Sequence, residues 1–233
     1  MIAIVTGATK GIGWAICQKF AENNIDLIIN SRSVTDLENA RTKLLEINPD
    51  IRVYIKQADL SIRDEVLAFA KFCLGQTDQV DVLVNNAGLF LPGSILEEED
   101  GALEKMVETN LYSAYHLTRK IVPAMQKLKR AHIINMASIA SFMAYPNGGS
   151  YSISKFAMLG FSKVLREELK SSGIKVTAVM PGATWSNSWA GVDLPEERLM
   201  QASDIAEAVW SLLQLSDAAV VEEIIIRPQL GDL

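Results

Sequence analysis

A tyrosine and a lysine four residues apart, Tyr151 and Lys155, are the side chains of this sequence best placed for acid–base chemistry. Residues at positions i and i+4 lie one above the other on the same helix face. An ammonium beside a phenol favours the phenolate, so we expect the pKa of Tyr151 to fall below its ordinary value of about 10. Such a phenol can give or take a proton near neutral pH. The same spacing also arises by chance on exposed helices, so the surroundings must decide.

Two further polar residues belong to the elements around this pair. The apolar run of residues 133–136 is typical of a buried strand, and Ser138 follows its end, where a hydroxyl can reach the place at which Tyr151 would act. Residues 97–129 predict a long helical region broken near Asn110. Its acidic start, residues 97–100, suits the helix dipole better than it suits a metal site.

Short apolar runs alternate with helical patterns along the chain, and seven of these runs are typical of buried parallel strands. The alternation predicts right-handed β–α–β units. We therefore expect an α/β fold: a Rossmann-type, doubly wound, mainly parallel seven-stranded sheet with helices on both faces. The sequence contains no linker and no internal repeat, which favours a single domain over residues 1–233.

A glycine-rich turn, residues 6–13, joins the first strand to the first helix. Glycines at this position let the backbone approach a phosphate, and the helix N-terminus favours its charge. The other polar or glycine-containing motifs, residues 31–32, 59–60, 85–88, 138 and 181–182, also follow predicted strands. Since ligands of such sheets bind beyond the carboxyl ends of the strands, this common placement favours a binding site over a structural scaffold.

Composition narrows the possible functions. The net charge of −6 disfavours extended nucleic-acid binding but allows a local basic pocket. Cys17 and Cys73 lie in apolar helical patterns and are interpreted as small buried residues, with neither a disulfide nor a metal site. No apolar run approaches the ~18 residues that span a bilayer, so we expect no membrane partner. The chain starts directly with a strand pattern, without a secretory signal, and the expected location is the cytoplasm.

Taken together, Thr-Gly-x-x-x-Gly-Ile-Gly, Asn-Asn-Ala-Gly, the serine after the fifth strand, Tyr-x-x-x-Lys and Pro-Gly occur in an order that resembles the short-chain dehydrogenase/reductase family. The resemblance extends over essentially the whole chain. It implies hydride transfer between a nicotinamide cofactor and a carbonyl or alcohol, within one dinucleotide-binding and catalytic domain.

The resemblance also implies a role for each motif residue. Tyr151 would protonate the carbonyl oxygen, Ser138 would hydrogen-bond that oxygen, and Lys155 would lower the pKa of Tyr151 and bind the nicotinamide ribose. Asn110 would hold a water that relays protons to Lys155, or would only satisfy a break in its helix. Besides Tyr151 and Lys155, the implied cofactor-binding residues are Gly7, Thr9, Lys10, Gly11, Ile12, Gly13, Arg32, Asp59, Leu60, Asn86, Ala87, Gly88, Pro181, Gly182 and Thr184.

The end of the second strand indicates which dinucleotide binds. Asp26 has the spacing of an acid that holds the ribose of NAD, but it precedes its strand and is interpreted as a solvated turn residue. Arg32 follows that strand and can hold a phosphate, with Lys10 as a second cation. Each alone could be a surface cation. Their common position, which resembles that in NADP-preferring members of the family, favours NADP(H).

The substrate pocket is expected to be largely apolar, because aromatic residues and a methionine follow several strand ends, although core packing is an alternative for each. These residues are Phe90, Phe142, Met143, Tyr145, Trp185 and Trp189. The resemblance implies that the ligand of this pocket is a small carbonyl or alcohol substrate.

Residues 222–229 resemble the branch of sepiapterin reductase and 3-hydroxy acid dehydrogenases more than 3-oxoacyl-[acyl-carrier-protein] reductases, which stay an alternative. A non-catalytic NADP-binding sensor is a second alternative. The resemblance also implies a homodimer or homotetramer, formed through the long helices and the last strand.

Overall fold

The computed structural model of the protein describes residues 1–185, 195 and 198–231. Strands and helices alternate along this part of the chain. The strands are Ile2–Val5 (β1), Asp26–Ser31 (β2), Val53–Gln57 (β3), Val82–Asn85 (β4), Ala131–Met136 (β5), Ile174–Pro181 (β6) and Glu223–Ile226 (β7). The α-helices are Gly11–Glu22 (α1), Val34–Ile47 (α2), Arg63–Gln76 (α3), Ala102–Val107 (α4), Ser113–Met125 (α5), Gly149–Leu169 (α6) and Ala202–Gln214 (α7).

All seven strands form one parallel sheet in the order β3-β2-β1-β4-β5-β6-β7. The predicted doubly wound α/β fold is confirmed. Because the strand order reverses between β1 and β4, the connections after these two strands diverge and leave a crevice at the carboxyl edge of the sheet. The segments expected to bind ligand all emerge at this edge.

Strand β1 is apolar throughout because both faces of the sheet are covered at its centre. In β1, Ala3 and Val5 belong to the core beneath α1, α2 and α7, while Ile2 and Ile4 belong to the core beneath α3, α5 and α6. Alternate residues of a strand point to opposite faces, so a strand buried on both sides needs a continuous apolar run. This layering fixes the register of β1 and places the glycine turn that follows it at the edge.

The predicted long helix is divided, and it starts later than predicted. A π-helical turn, Glu108–Tyr112, separates α4 from α5, which confirms the break near Asn110. Residues 97–101 are not helical, contrary to the prediction, because Gly101 adopts a φ of 88° and becomes the N-cap of α4. Right-handed helices do not continue through a residue with this conformation.

Asp26 lies at the start of β2, opposite Ile2 in the register and therefore at the edge away from the cleft. Its Oδ1 accepts a hydrogen bond from the Arg52 backbone N–H at 2.7 Å, and its Oδ2 accepts one from Arg52 Nε at 2.8 Å. Asp26 is thus no cofactor ligand, as predicted, but it is part of an ion pair between β2 and the start of β3 rather than a solvated turn residue.

Both cysteines are buried thiols without a disulfide, as predicted, and burial raises the pKa of each. The described residues contain no group of three or more His, Cys, Asp or Glu side chains that could hold a metal ion. Among the helices that the structure describes, none combines the length and the apolar content needed to cross a bilayer.

Candidate active site

The glycine turn after β1 is locked against the turn after β4. Gly7 and Gly11 adopt φ values of 61° and 54°, which favour glycine. The Asn86 side-chain amide donates hydrogen bonds to the carbonyl oxygens of Thr6 (2.9 Å) and Gly7 (3.0 Å). A Cβ on Gly13 would lie 2.4 Å from both the Asn86 amide nitrogen and the Gly7 oxygen. Gly13 is therefore needed for packing behind the turn, while Gly7 and Gly11 line its open side.

The N-terminus of α1 faces this open side. Its N-cap residue, Lys10, makes no side-chain hydrogen bond to the helix, and the first turn contains no acidic residue. Backbone N–H groups at such a helix end, together with the helix dipole, suit a phosphate. The turn therefore fits the phosphates of a dinucleotide.

The end of β2 carries Ser31 and Arg32. The Arg32 side chain is exposed and forms no ion pair in the described part of the chain, while its backbone oxygen accepts a hydrogen bond from Gln57 at 2.9 Å. Lys10, the second predicted cation, forms an ion pair with Asp36 at 3.0 Å. Because the Lys10 side chain is 62% exposed, this pair is weak and can exchange for another anion. Arg32 is thus the more available cation.

Asp59 and Leu60 form the wall of the cleft beyond β3. Asp59 Oδ1 accepts hydrogen bonds from the backbone N–H (3.0 Å) and the hydroxyl (2.8 Å) of Ser61, and Leu60 is buried. The carboxylate is therefore engaged in shaping its own turn, and the apolar Leu60 beside it offers a surface on which a planar ring can pack.

Asn110 lies in the π-helical turn and is fully buried. Its Oδ1 accepts a hydrogen bond from the Leu89 backbone N–H at 2.6 Å. Its amide nitrogen donates to the Leu89 oxygen and to the Ser154 hydroxyl, each at 2.9 Å. Ser154 in turn donates to the Tyr151 carbonyl oxygen at 2.7 Å. The side chain thus connects the π-helical turn, the segment after β4 and helix α6, a connection the sequence did not reveal. All three side-chain contacts of Asn110 go to other elements rather than to the backbone of the helix break, so both the helix-break role and the proton-relay role stay predictions.

Ser138, Tyr151 and Lys155 converge between β5 and α6. Ser138 follows β5, is buried, and lies close enough to the phenol of Tyr151 to lower the pKa of that group. Lys155 is buried one helical turn after Tyr151, with its Nζ 5.7 Å from the centre of the tyrosine ring. The ammonium donates a hydrogen bond to the carbonyl oxygen of Met136, the last residue of β5, at 2.8 Å.

The pKa values of this pair differ from the sequence prediction. Burial raises the pKa of Tyr151 to about 12, and the hydrogen bond with Ser138 opposes this rise. Burial also lowers the pKa of Lys155 to about 8. The expectation of a lowered tyrosine pKa was wrong, because removal of the phenol from water outweighs any favourable interaction of the phenolate. Below about pH 8 the pair consists of a neutral phenol beside an ammonium.

A single cleft of about 1440 Å³ connects the glycine turn with Tyr151. Two residues of the predicted set lie behind its wall, Gly13 and Asn110. The predicted catalytic and cofactor-binding residues that line the cleft are Gly7, Thr9, Lys10, Gly11, Ile12, Arg32, Asp59, Leu60, Asn86, Ala87, Gly88, Ser138, Tyr151, Lys155, Pro181, Gly182 and Thr184.

Comparison with known proteins identifies the family. The model of the short chain dehydrogenase family matches residues 1–196. The chain belongs to this family. The match makes this short-chain dehydrogenase an oxidoreductase, as the motifs predicted.

Relatives of the short-chain dehydrogenase align along nearly its entire length. It is 31% identical to the sepiapterin reductase of Chlorobaculum tepidum, in a match that covers 100% of this chain and 98% of that protein. It is 30% identical to an uncharacterized oxidoreductase of Staphylococcus saprophyticus, with 97% of each chain covered. Among solved structures, an alcohol dehydrogenase from the archaeon Thermococcus sibiricus, complexed with 5-hydroxy-NADP, superimposes with a TM-score of 0.91 at 27% identity. That match covers 100% of this chain and 98% of the archaeal one.

Three of the six residues predicted for the substrate pocket line the cleft of the short-chain dehydrogenase: Phe90, Met143 and Tyr145. The Phe90 ring packs edge-on against Tyr151, with ring centres 4.9 Å apart. Phe142 and Trp185 are not among the described residues that line the cleft. The Trp185 backbone N–H donates to the Met200 oxygen at 2.8 Å, so the chain at this position is tied to the segment before α7. Trp189 lies outside the described residues.

Several residues that line the cleft had no signal of their own in the sequence. They are immediate neighbours of recognised motifs, or they face the cleft from α4 and from the π-helical turn: Asn30, Ser31, Ser33, Asp36, Ser61, Leu89, Pro92, Lys105, Thr109, Met136, Ala137, Ile139 and Ala183. The residues that directly precede or follow a recognised motif could have been predicted to line the cleft from that position alone. Lys105 lies on α4 and Thr109 in the π-helical turn, and no local pattern marked either as facing the cleft.

Proposed function

We propose that this oxidoreductase reduces a ketone or aldehyde with NADPH and, in reverse, oxidises the corresponding alcohol with NADP. The observation that carries the proposal is that one continuous cleft joins two groups of residues. The glycine turn, which suits phosphates, and the exposed Arg32 lie at one end. Ser138, Tyr151 and Lys155 lie at the other. When bound, the nicotinamide supplies or accepts the hydride. We also propose that residues 1–233 act as one dinucleotide-binding and catalytic domain.

In this proposal, Tyr151 is the proton donor during reduction. Because burial raises its pKa to about 12, the phenol keeps its proton at neutral pH and can deliver it to the substrate oxygen. The Ser138 side chain lies close enough to this phenol to affect its pKa, so a carbonyl oxygen that takes the place between the two hydroxyls and accepts from both would be oriented and polarised. The nearby Lys155 ammonium stabilises negative charge that develops on the phenol as the proton leaves.

The residues present fit NADP(H). Gly7 and Gly11 leave the backbone open to the phosphates, and Arg32 at the end of β2 offers a guanidinium for the 2′-phosphate of the ribose. The acid of suitable spacing, Asp26, lies at the opposite edge of the sheet. The complex of the Thermococcus sibiricus enzyme with 5-hydroxy-NADP supports the same choice.

The substrate end of the cleft favours a largely apolar carbonyl compound. Phe90, Pro92, Met143 and Tyr145 line the same cleft as Tyr151, and all four are exposed. Similarity to the Chlorobaculum tepidum sepiapterin reductase supports a reductase activity. Reduction of a 3-oxoacyl thioester on an acyl carrier protein is the alternative for the same chemistry.

A substrate panel tests the proposal. Ketones, aldehydes, diketones and 3-oxoacyl thioesters would be offered to the purified protein, with loss of NADPH absorbance followed over time and NADH in parallel. Turnover with NADPH would support the assignment, and the best substrate would distinguish carbonyl reduction from the acyl-carrier alternative. Tight NADPH binding without turnover on every member would favour the non-catalytic sensor.

We further propose a cytoplasmic homodimer or homotetramer. Large apolar side chains on α5 and α6 are 40–58% exposed, and an uncovered apolar row of this kind suits a contact between copies. They are Tyr115 on α5 and Ile153, Phe156 and Val164 on α6. Light scattering during size-exclusion chromatography tests this, and a monomer at micromolar concentration would contradict it.

A further inference from the structure

Two loops form the substrate end of the cleft, and they touch each other at the start of α6. One is residues 89–101, which contributes Phe90 and Pro92, and the other is residues 142–148, which contributes Met143 and Tyr145. The Gly93 backbone N–H donates a hydrogen bond to the Asn147 oxygen at 3.1 Å. The two walls are thus one connected unit rather than independent loops.

Glu98 makes the second connection between these loops and the helix. The Ser150 hydroxyl donates a hydrogen bond to Glu98 Oε1, and the Ser150 backbone N–H donates to Glu98 Oε2 at 3.4 Å. Ser150 is buried, and it directly precedes Tyr151 in the first turn of α6. The carboxylate therefore holds the residue next to the proposed proton donor.

Helix α6 has no cap of its own that could replace this contact. Its N-cap residue is Gly148, which offers no side-chain acceptor, and its first turn contains no acidic residue. The unpaired N–H groups and the positive dipole end of a helix both favour an external carboxylate. Glu98 supplies from the neighbouring loop what the helix lacks.

Glycines allow this close approach. A Cβ on Gly149, which has a φ of 24°, would lie 2.9 Å from Glu98 Oε2 and 2.5 Å from the Gly93 oxygen. A Cβ on Gly93 would lie 3.0 Å from the Glu98 Cβ. A side chain at position 149 would push the loop away from the helix, and one at position 93 would displace Glu98 within the loop. The local sequence is therefore compatible with a contact that brings the carboxylate onto the helix end.

We propose that Glu98 is a positioning residue, which caps the catalytic helix from the substrate loop and thereby fixes Tyr151 relative to the wall that carries Phe90. Glu98 does not line the cleft among the described residues, so it acts through Ser150 and through its own loop. The loop is held at Leu89 by Asn110, at Gly93 by Asn147 and at Glu98 by Ser150. Phe90, which packs edge-on against Tyr151, lies between these points. The kinetic part of this proposal rests on the proposed function.

The test uses Glu98→Ala and Ser150→Ala in the full chain, with Glu97→Ala as the matched control. Glu97 is an exposed neighbour with the same charge. Since small misplacements of reacting groups cost about 10- to 100-fold in rate, we expect kcat for carbonyl reduction to fall by that order in Glu98→Ala. NADPH affinity should change less than about twofold, and the double variant should be little worse than Glu98→Ala, because the two residues share one contact. An unchanged kcat, or an equal loss of NADPH affinity, would overturn the proposal.

Hydrogen exchange provides a readout that needs no substrate. In Glu98→Ala, amides of residues 89–101 and of residues 149–152 should exchange faster together, while those of β1 and the glycine turn stay as in the wild type. The Glu97→Ala control should leave all of them unchanged. If the wild type reduces no member of the panel, the proposed function fails, and hydrogen exchange alone decides on the contact. Unchanged exchange in both segments would overturn it.

Discussion

Lys155 is buried with its ammonium on the Met136 oxygen, and burial lowers its pKa to about 8. The charged form, which stabilises negative charge on Tyr151, is present below this pKa and is lost as the pH rises through it. We therefore expect kcat/KM for carbonyl reduction to decline above about pH 8. Initial rates between about pH 6 and pH 10 at saturating NADPH would show this, with the fold checked at each pH. A profile that stays level to pH 10 would contradict the assignment.

The same burial makes Lys155 costly for stability. The shift of its pKa from 10.5 to about 8 means that burial of the ammonium destabilises the fold by roughly 3 kcal/mol at pH 7. A variant without the ammonium avoids this cost but also loses the hydrogen bond to Met136, which stabilises the fold by about 1 kcal/mol. We expect Lys155→Met to increase the free energy of unfolding by about 2 kcal/mol at pH 7. The cost fades between about pH 8 and 10.5, because there the unfolded chain binds the extra proton. Chemical denaturation at pH 7 and at pH 10 measures the difference. A Lys155→Met variant less stable than the wild type at pH 7 would show that the ammonium stabilises the fold.

Arg32 determines the choice of cofactor in this account. Replacing it by aspartate removes a charge-assisted contact with the 2′-phosphate and places an acid where NADH has a free ribose hydroxyl. We expect Arg32→Asp to change the ratio of kcat/KM for NADPH to that for NADH by about 100-fold or more toward NADH. Lys10→Ala is the comparison, and its effect should be smaller because Lys10 already pairs with Asp36. An unchanged ratio in Arg32→Asp would refute the phosphate contact.

For individual residues, the sequence was sufficient to predict which side chains belong to the site, but not how deeply they are buried or which groups contact them. Tyr151, Ser138 and Lys155 were recognisable because their spacing is local or follows a strand end. The direction of the tyrosine pKa shift was not, because burial of the phenol depends on Phe90 and on the loops around it. The contact between Glu98 and Ser150 joins residues 52 positions apart and had no pattern in the sequence.

The π-helical turn is the element that ties the site together. Asn110 makes three side-chain hydrogen bonds from a buried position, and its Ala variant would leave the Leu89 backbone groups and Ser154 without these partners. We expect Asn110→Ala to lower the free energy of unfolding by about 2–4 kcal/mol. Urea denaturation monitored by circular dichroism tests this. As a control, Thr109→Ala in the same turn should have a smaller effect, and equal losses would mean that the hydrogen bonds are not the cause.

The ends of strands and helices were predicted correctly where a local sequence pattern determines them. They were missed where a residue can adopt more than one backbone conformation. The strands were predictable from apolar runs. The start of α4 was not, because the left-handed conformation of Gly101 is one of several that glycine adopts freely. Helix α7 begins with Gln201 as its N-cap, and Asp204 Oδ2 accepts from the Gln201 N–H at 2.9 Å.

At the scale of the whole molecule, the rules of parallel sheets predict the location of the site. Right-handed connections and a reversal of strand order place the ends of β1, β2, β4, β5 and β6 around one crevice. Residues separated by more than a hundred positions, such as Gly7 and Tyr151, thereby line one cleft. The shape of the substrate end depends on loops whose conformation no periodicity describes, so only three of the six residues predicted for the substrate pocket are found among the described residues that line the cleft.

The central claim is that Tyr151 donates the proton in an NADPH-dependent carbonyl reduction. It is tested most directly by measuring NADPH oxidation in the wild type and in Tyr151→Phe with the best carbonyl substrate, alongside NADPH affinity by fluorescence titration. We predict that Tyr151→Phe binds NADPH within about twofold of the wild type and loses at least about 100-fold in kcat, since only the phenolic hydroxyl, which carries the transferred proton, is removed. Full activity in Tyr151→Phe would contradict the mechanism.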